Sequence, residues 1–287
     1  MTGSCEALRA RRSTAPRASA LALGWVVLLA CGADPADSSS ESCAVLFGRP
    51  NARTGLDASR CRPSCACNGT RFEAPTYDAS FLASLTDDWV HATPYPVIDT
   101  DPYALPAPSD VSEAVCAVVP EPAPASGPRR YALVDFASEL EARAGGAYPT
   151  HFGRCGVCST LANLAVYVRE EDLTEPVRAC GLSSKDREAH VACLQALGFD
   201  RPCADIWYWN TLHTRAACLE PCLAALGKPY HDESGDLNAC LSCDERESGA
   251  VFKAVAGRTR RNSGLPNAMC RPCSEVQPLV HDYPRGG

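Results

Sequence analysis

Between residues 129 and 226 the spacing of apolar positions changes repeatedly, and each change marks an element. Tyr131–Phe136 reads as a strand, Ser138 to Ala144 as a helix closed by Gly145 and Gly146, and Tyr148–Phe152 as a shorter strand. Ser159, a good N-cap residue, predicts a helix running to Arg169. Its Leu161, Leu164, Ala165 and Val168 recur at the helical period and predict a buried stripe. Thr174 predicts a short helix with Pro176 in its first turn and Gly181 just past its end. Ser184 predicts another, with Ala189, Cys193, Ala196 and Leu197 on one face and Gly198 as its stop. Asp200 starts the longest helix, through Trp207 and Trp209 towards Leu226, with Pro221 kinking or breaking it.

Cys203 and Cys218 lie on that last segment. Fifteen residues of unbroken helix separate them by about 22 Å. A disulfide needs Cα atoms within roughly 7 Å, so an unbroken helix forbids a bond between them. Cys193 on the preceding helix then becomes the expected partner of Cys218 or Cys222.

Upstream the pattern is sparser. Residues 43–118 read as a cysteine-rich module of turns, with one short helix around Phe81 to Trp89. Its five cysteines, Cys43, Cys61, Cys65, Cys67 and Cys116, are an odd number, which favours pairing into the second region. Residues 119–128 alternate proline and predict an extended linker. Residues 129–287 are then a mainly helical, cysteine-rich domain with a short β element. The expected fold class is α+β and disulfide-rich, with the irregular N-terminal module packed on the helical domain.

The first thirty residues have the three parts of an export signal: Arg9, Arg11, Arg12 and Arg17, then an apolar run from Leu21 to Ala30, then a processing site. The apolar run is shorter than the roughly 20 residues a spanning helix needs. Leu28-Leu29-Ala30-Cys31-Gly32 resembles a bacterial lipobox, which would make Cys31 the lipidated first residue, although Leu29 stands where a smaller residue is more usual. Ordinary cleavage after Ala33 is the alternative. Residues 31–42 are small and polar and read as a disordered tether. The localisation expected is extracytoplasmic, as a cell-envelope lipoprotein in preference to a freely secreted protein. Asn68-Gly69-Thr70 is a glycosylation sequon, meaningful only in a eukaryote.

Composition narrows the partners. Eighteen cysteines, sixteen of them from Cys43 onward, fit folding outside the reducing cytoplasm. Removing residues 1–30 takes the formal charge from −7 to −10, which disfavours nucleic acid, whose binding rests on phosphate neutralisation. Membrane attachment is then expected through the lipid anchor alone. About 255 mature residues suffice for one large or two modest domains.

Four constellations could carry chemistry. His151-Phe152-Gly153-Arg154-Cys155-Gly156-Val157-Cys158 places a CxxC before a helix, where the helix N-terminus and Arg154 would favour a thiolate and His151 would move a proton. Over the four residues Cys155-Gly156-Val157-Cys158 it resembles the thioredoxin-type motif. It departs from it in lacking a tryptophan before Cys155 and in carrying Val157 where proline or histidine is usual. The competing explanation is structural disulfides. Cys240, Cys243, Cys270 and Cys273 form two CxxC knuckles that would suit zinc in a reducing compartment and disulfides in an oxidising one. Arg258, Arg260 and Arg261 stand between glycines in an acidic chain with three lysines and would suit a small anion, or would pair with neighbouring acids. Trp207-Tyr208-Trp209 would form a carbohydrate or apolar platform, or pack between regions. His281-Asp282-Tyr283 would contribute a ligand or base, or lie simply on the surface, as a lone His-Asp near a terminus usually does. No cofactor is expected. The function read from the sequence is an exported, lipid-anchored, disulfide-stabilised binding or structural protein. Its alternatives are thiol–disulfide exchange at Cys155 and Cys158, or small-anion or metal binding.

Overall fold

The computed structural model describes residues 43–67, 69–106, 113–122 and 126–284. The export segment, Cys31, the tether, Asn68 and residues 123–125 of the proline run lie outside the described residues.

The chain opens with β1 (Leu46–Phe47), β2 (Cys61–Arg62) and the hairpin of β3 (Ser64–Cys67) and β4 (Thr70–Glu73). Helix α1 (Ala79–Asp87) follows, capped by Asp78, which accepts from Phe81 N at 2.7 Å. β5 (Trp89–His91) comes directly after it, so the helix expected to reach Trp89 stops two residues short.

β6 (Val115–Pro120) and β7 (Arg129–Phe136) pair antiparallel, Cys116 opposite Asp135 and Val118 opposite Leu133. The proline run therefore joins two neighbouring strands of one sheet. β5 adds to β7 in parallel and β8 (Tyr148–Phe152) adds to β6, giving the order β5-β7-β6-β8. Val115 to Val118 are buried on both faces, as an apolar run in a central strand should be. β8 is an edge strand, which tolerates Pro149. Its register shifts between Cys116 and Ala117, leaving Thr150 as the extra residue of a bulge. Between β7 and β8 lies α2 (Glu139–Ala144), capped by Ser138.

The helical part begins with α3 (Leu161–Arg169). Its N-cap is Thr160 and not Ser159, because the Ser159 hydroxyl already accepts from Gly156 N at 2.8 Å and meets His151 Nε2 at 2.6 Å. Val166 and Tyr167 are buried as well as Leu161, Leu164 and Ala165, so α3 is covered nearly all round. α4 (Thr174–Ser183) starts where expected but contains Gly181 instead of ending before it. A Cβ at Gly181 would meet Thr211 Cγ2 at 2.8 Å, so the glycine permits a close helix–helix approach. α5 (Arg187–Ala196) is capped by Asp186, not Ser184, since the carboxylate reaches Ala189 N at 2.8 Å. His190, Val191 and Leu194 face inward; of the expected face, Cys193 and Leu197 pack at the edge of the core while Ala189 and Ala196 are exposed.

α6 (Arg201–Ala224) is capped by Asp200 and bends at Cys218, three residues before Pro221. Proline cannot donate to the carbonyl four residues back, and its ring crowds that turn. α7 (Ala239–Glu247) and α8 (Gly249–Ala256) pack beside α6, and β9 (Arg271–Pro272) returns to pair with β1. The main core gathers α1, α3, α4, α5 and α6 against Trp89, Val118 and Tyr131 of the sheet. Asp205, fully buried on α6, accepts from Arg187 at 3.1 Å, Arg201 at 3.1 Å and Ile98 N at 3.2 Å, which pins the 95–105 loop to the helices.

All sixteen cysteines from Cys43 on are paired. Cys43–Cys67 closes within the N-terminal stretch; Cys61–Cys270, Cys65–Cys273 and Cys116–Cys155 cross to the second region. Cys158–Cys203, Cys180–Cys193, Cys218–Cys243 and Cys222–Cys240 complete the eight. Cys203 and Cys218 do not bond each other, as the helix geometry requires. Cys193, however, bonds Cys180 across the α4–α5 hairpin and not Cys218 or Cys222, whose partners lie on α7. The chain is thus a disulfide-stabilised α+β protein of an oxidising, extracytoplasmic kind of compartment. Among the described residues no helix is long and apolar enough to cross a membrane.

Candidate binding cleft

The sequence's candidate residues fall into separate surroundings. Cys155 is tied to β6 through Cys116, and Cys158 to the first turn of α6 through Cys203. The loop between them docks on the end of α8, Val157 N donating to Val255 O at 3.0 Å and Cys158 N to Ala256 O at 2.9 Å. A Cβ at Gly156 would collide with that backbone. Exchange within a CxxC runs through a bond between its own two sulfurs. Here it would first have to break two separate cross-links, one of them at the fully buried Cys158.

His151 is buried, with Nδ1 3.0 Å from Phe152 O and Nε2 2.6 Å from Ser159 Oγ. A carbonyl only accepts, so Nδ1 carries the proton and the serine hydroxyl donates to Nε2. Burial, reinforced by the nearby Arg258 charge, holds its pKa well below the usual histidine range. The ring therefore serves as a neutral link between β8 and the loop.

Cys240 and Cys243 face α6 one helical turn apart and bond Cys222 and Cys218, while Cys270 and Cys273 bond Cys61 and Cys65. A four-thiolate zinc site needs four free thiolates, and in this structure all four sulfurs are in disulfides.

The three arginines separate. Arg258 is wholly buried and donates to Thr150 O at 2.7 Å, Ser159 O at 2.9 Å and Cys158 O at 3.1 Å, as well as to Thr150 Oγ1 at 2.5 Å. It is a strut between β8, the Cys155–Cys158 loop and the chain after α8, and the Thr150 bulge supplies two of its acceptors. Arg260 is nearly buried over the Tyr167 ring, its carbon 5.6 Å from the centroid, and donates to the Pro266 and Glu170 carbonyls. Burial brings its pKa down to about 10. Arg261 pairs with Glu275 at 2.8 Å and lies 3.6 Å from Glu245. His281 and Tyr283 are buried against Ser263 and Thr150 rather than lying on the surface.

Arg260 and Arg261 do share one setting. A cleft of about 750 Å³ runs over the α6 floor, between α4 on one side and α7 and α8 on the other. Residues 259–262 and 267–277, with Tyr167, also line it. This volume lies in the usual small-ligand range. Trp207 lies in its lining and packs on Phe252 at 4.6 Å between ring centroids. Trp209 turns away and donates to Ile98 O at 2.9 Å, so the aromatic run divides between the cleft lining and packing against the 95–105 loop.

Four leucines that line the cleft are among the most exposed large apolar residues of the described chain: Leu182 at 67%, Leu223 at 57%, Leu219 at 51% and Leu226 at 49%. Leu219 and Leu223 lie on α6 beyond its kink, and Leu226 follows in the turn just past its end. Sequence reasoning missed them because their i, i+4, i+7 spacing is also that of a core stripe.

Each acid lining the cleft is already engaged. Glu171 takes Arg49 at 2.5 Å, and Asp172 takes Tyr230 at 2.7 Å and Asn51 at 3.0 Å. Asp244 accepts from Thr214 and Asn210, and burial raises its pKa. Glu245 takes Arg271, and Glu275 takes Arg261. By contrast the Tyr167 hydroxyl, the Trp207 indole N–H and Arg271 Nε are buried and make no hydrogen bond of good geometry. Burial takes the Tyr167 phenol up to about 12, although Arg258, Arg260 and the adjacent Trp207 indole all favour its ionised form. Arg271 and Tyr167 were not among the sequence's candidates, and their burial arises only from tertiary contacts.

In comparisons with known proteins, no curated protein and no solved structure matches the chain significantly. Residues 187–279, which span α5 through β9 and so include the cleft floor and one wall, are similar to a family of unknown function (DUF8771).

Proposed function

We propose that the mature chain is an exported, lipid-anchored binding protein that takes a small amphiphilic molecule into the cleft over α6. In this reading Cys31 carries the lipid and residues 31–42 hold the folded body off the membrane surface. The observation that carries the proposal is the cleft itself. It has small-ligand volume, an aromatic pair where Trp207 of the floor meets Phe252 of the α8 wall, and leucines along its lining that a purely structural role leaves exposed. Large apolar side chains gathered around one concavity mark an interaction site more often than scattered ones do.

The test uses the full exported chain carrying Cys31→Ser, so that no acyl chain competes. Nile red, a neutral apolar dye, is expected to bind one site with saturable fluorescence. Ala250→Trp, which places an indole in the cleft from an exposed position on α8, should weaken that binding at least about tenfold, or by about 1.4 kcal/mol. The unfolding midpoint should not move. Absence of saturable binding, or equal binding by Ala250→Trp, contradicts the proposal.

A further inference from the structure

Resting on that binding reading, we infer that the ligand is a primary alkylammonium, its charged nitrogen held by the Asp244 carboxylate and its chain lying along α6 towards Leu219 and Leu223. Asp244 stands on α7 in the lining of the cleft. Its two side-chain bonds both fall on one oxygen. Asn210 Nδ2 donates to Oδ1 at 3.3 Å, and the Thr214 hydroxyl donates to the same atom. Oδ2 accepts nothing among the described residues, yet it is not sealed away as the Tyr167 hydroxyl and the Trp207 N–H are. An ionised carboxyl accepts on both oxygens, so half of this group's capacity is left to whatever enters the cleft.

Charge points the same way. Both donors to Asp244 are neutral. The charges that bear on it most are Glu245 and Arg271, which pair with each other, so the acid is left without a counter-ion of its own. Other cations of the lining are taken up elsewhere: Arg178 by Glu175 at 2.7 Å, Arg261 by Glu275 at 2.8 Å, and Arg260 by the field of Glu171, Asp172 and Glu170. Arg215 is exposed and donates towards α4, to the Gly181 carbonyl at 2.6 Å. A partly buried carboxylate without a cation is costly, and an ammonium supplies both the missing charge and N–H donors for Oδ2. An anionic head group would be repelled there. Leu219 lies five residues past Thr214, roughly 8 Å further along α6, so the hydrocarbon finds apolar side chains close to the charged end.

The experiment is calorimetric titration of the Cys31→Ser chain at neutral pH with decylammonium, decyltrimethylammonium, 1-decanol and decanoate, each below its aggregation concentration and each checked for displacement of Nile red. Decylammonium should bind about tenfold more tightly than the alcohol, the gain expected of one charge-assisted hydrogen bond. Decanoate should bind more weakly than either. Decyltrimethylammonium carries the charge without an N–H and should fall about fivefold behind decylammonium. Asp244→Asn keeps Oδ1 as an acceptor for Asn210 and Thr214 and removes the charge. It should cancel the preference for decylammonium over decanol and leave decanol unchanged. Should that variant not fold, the order of the four ligands on the Cys31→Ser chain still decides. Equal or tighter binding of decanol, decanoate or the trimethyl compound, or a preference that survives Asp244→Asn, overturns the ammonium assignment. If Nile red binds while decylammonium shows no preference, the head-group inference fails and the cleft survives. If neither binds, both fail.

Discussion

Replacing both Cys61–Cys270 and Cys65–Cys273 by serine pairs is expected to cost about 7 kcal/mol, against about 2–3 kcal/mol for either pair alone. The two bonds lie side by side, so with one intact the other closes a loop of only a few residues on each side. Loop-closure entropy then assigns the second bond a small share. With both gone, the ends of the folded body are no longer tied. The loop released is long in sequence but shortened to roughly 100 residues by the remaining disulfides, worth close to 5 kcal/mol more. The associated packing is slight. Leu46, Leu56 and the two half-cystines form one small cluster, and Phe47 with Val276 another. The three-stranded β2-β1-β9 sheet has two-residue strands and cannot hold the ends by itself. Urea unfolding of the wild type, both single-pair variants and the double variant measures this. Additive costs would mean that non-covalent packing, and not the paired cross-links, joins the N-terminal stretch to the chain end.

Acid should destabilise the protein well above the range where carboxylates titrate. His151 and His281 are both buried and neutral, and burial beside Arg258 lowers both pKa values, that of His281 to about 3. In the unfolded chain each returns to about 6.5. Below pH 6.5 the unfolded state therefore binds more protons than the folded one, and stability falls as pH falls. With its pKa at about 3, His281 alone removes roughly 2.5 kcal/mol between pH 6.5 and 4.5, and His151 adds to the loss in the same direction. His91, His190 and His231 act in the same direction, their pKa values also lowered mainly by burial. Asp244 acts in the opposite one. Its raised pKa lets the folded state take a proton first, which offsets part of the loss. Urea midpoints from pH 7 to 4.5 should fall steeply, and a His151→Gln, His281→Gln double variant should flatten the curve. A wild-type midpoint unchanged over that range would show that the two rings are not held neutral.

Much of the architecture was legible in the chain. Tyr131–Phe136, Tyr148–Phe152, the helices from Thr174 and Asp200 and the bend near Pro221 follow directly from period and breaker residues. Errors concentrate where two local partners compete. Ser159 would cap α3, but Gly156 and His151 claim its hydroxyl first. Ser184 would cap α5, but Asp186 offers a stronger acceptor two residues on. Gly181 reads as a stop and is a contact point, because only the position of Thr211 requires it to lack a Cβ.

The CxxC spacings were misleading for a more general reason. Two cysteines one helical turn or one short loop apart can close on each other, or can each reach a neighbouring segment. Local sequence does not distinguish the two. Here every such pair reaches outward: Cys155 and Cys158 to a strand and a helix, Cys240 and Cys243 to α6, Cys270 and Cys273 to Cys61 and Cys65. The cleft was the least legible feature. Tyr167 and Arg271 become buried donors, and Leu219 and Leu223 become exposed, only through the way α4 and α7 pack on α6.

The central claim is that eight specific cross-links, none of them closed within a CxxC, hold this fold in an oxidising compartment. A mass-spectrometric map of the exported protein, alkylated before digestion without reduction, tests it most directly. The account predicts no alkylated cysteine from Cys43 onward and recovers Cys116 linked to Cys155 and Cys158 linked to Cys203. A peptide in which Cys155 is bonded to Cys158, or in which both are alkylated, would contradict it.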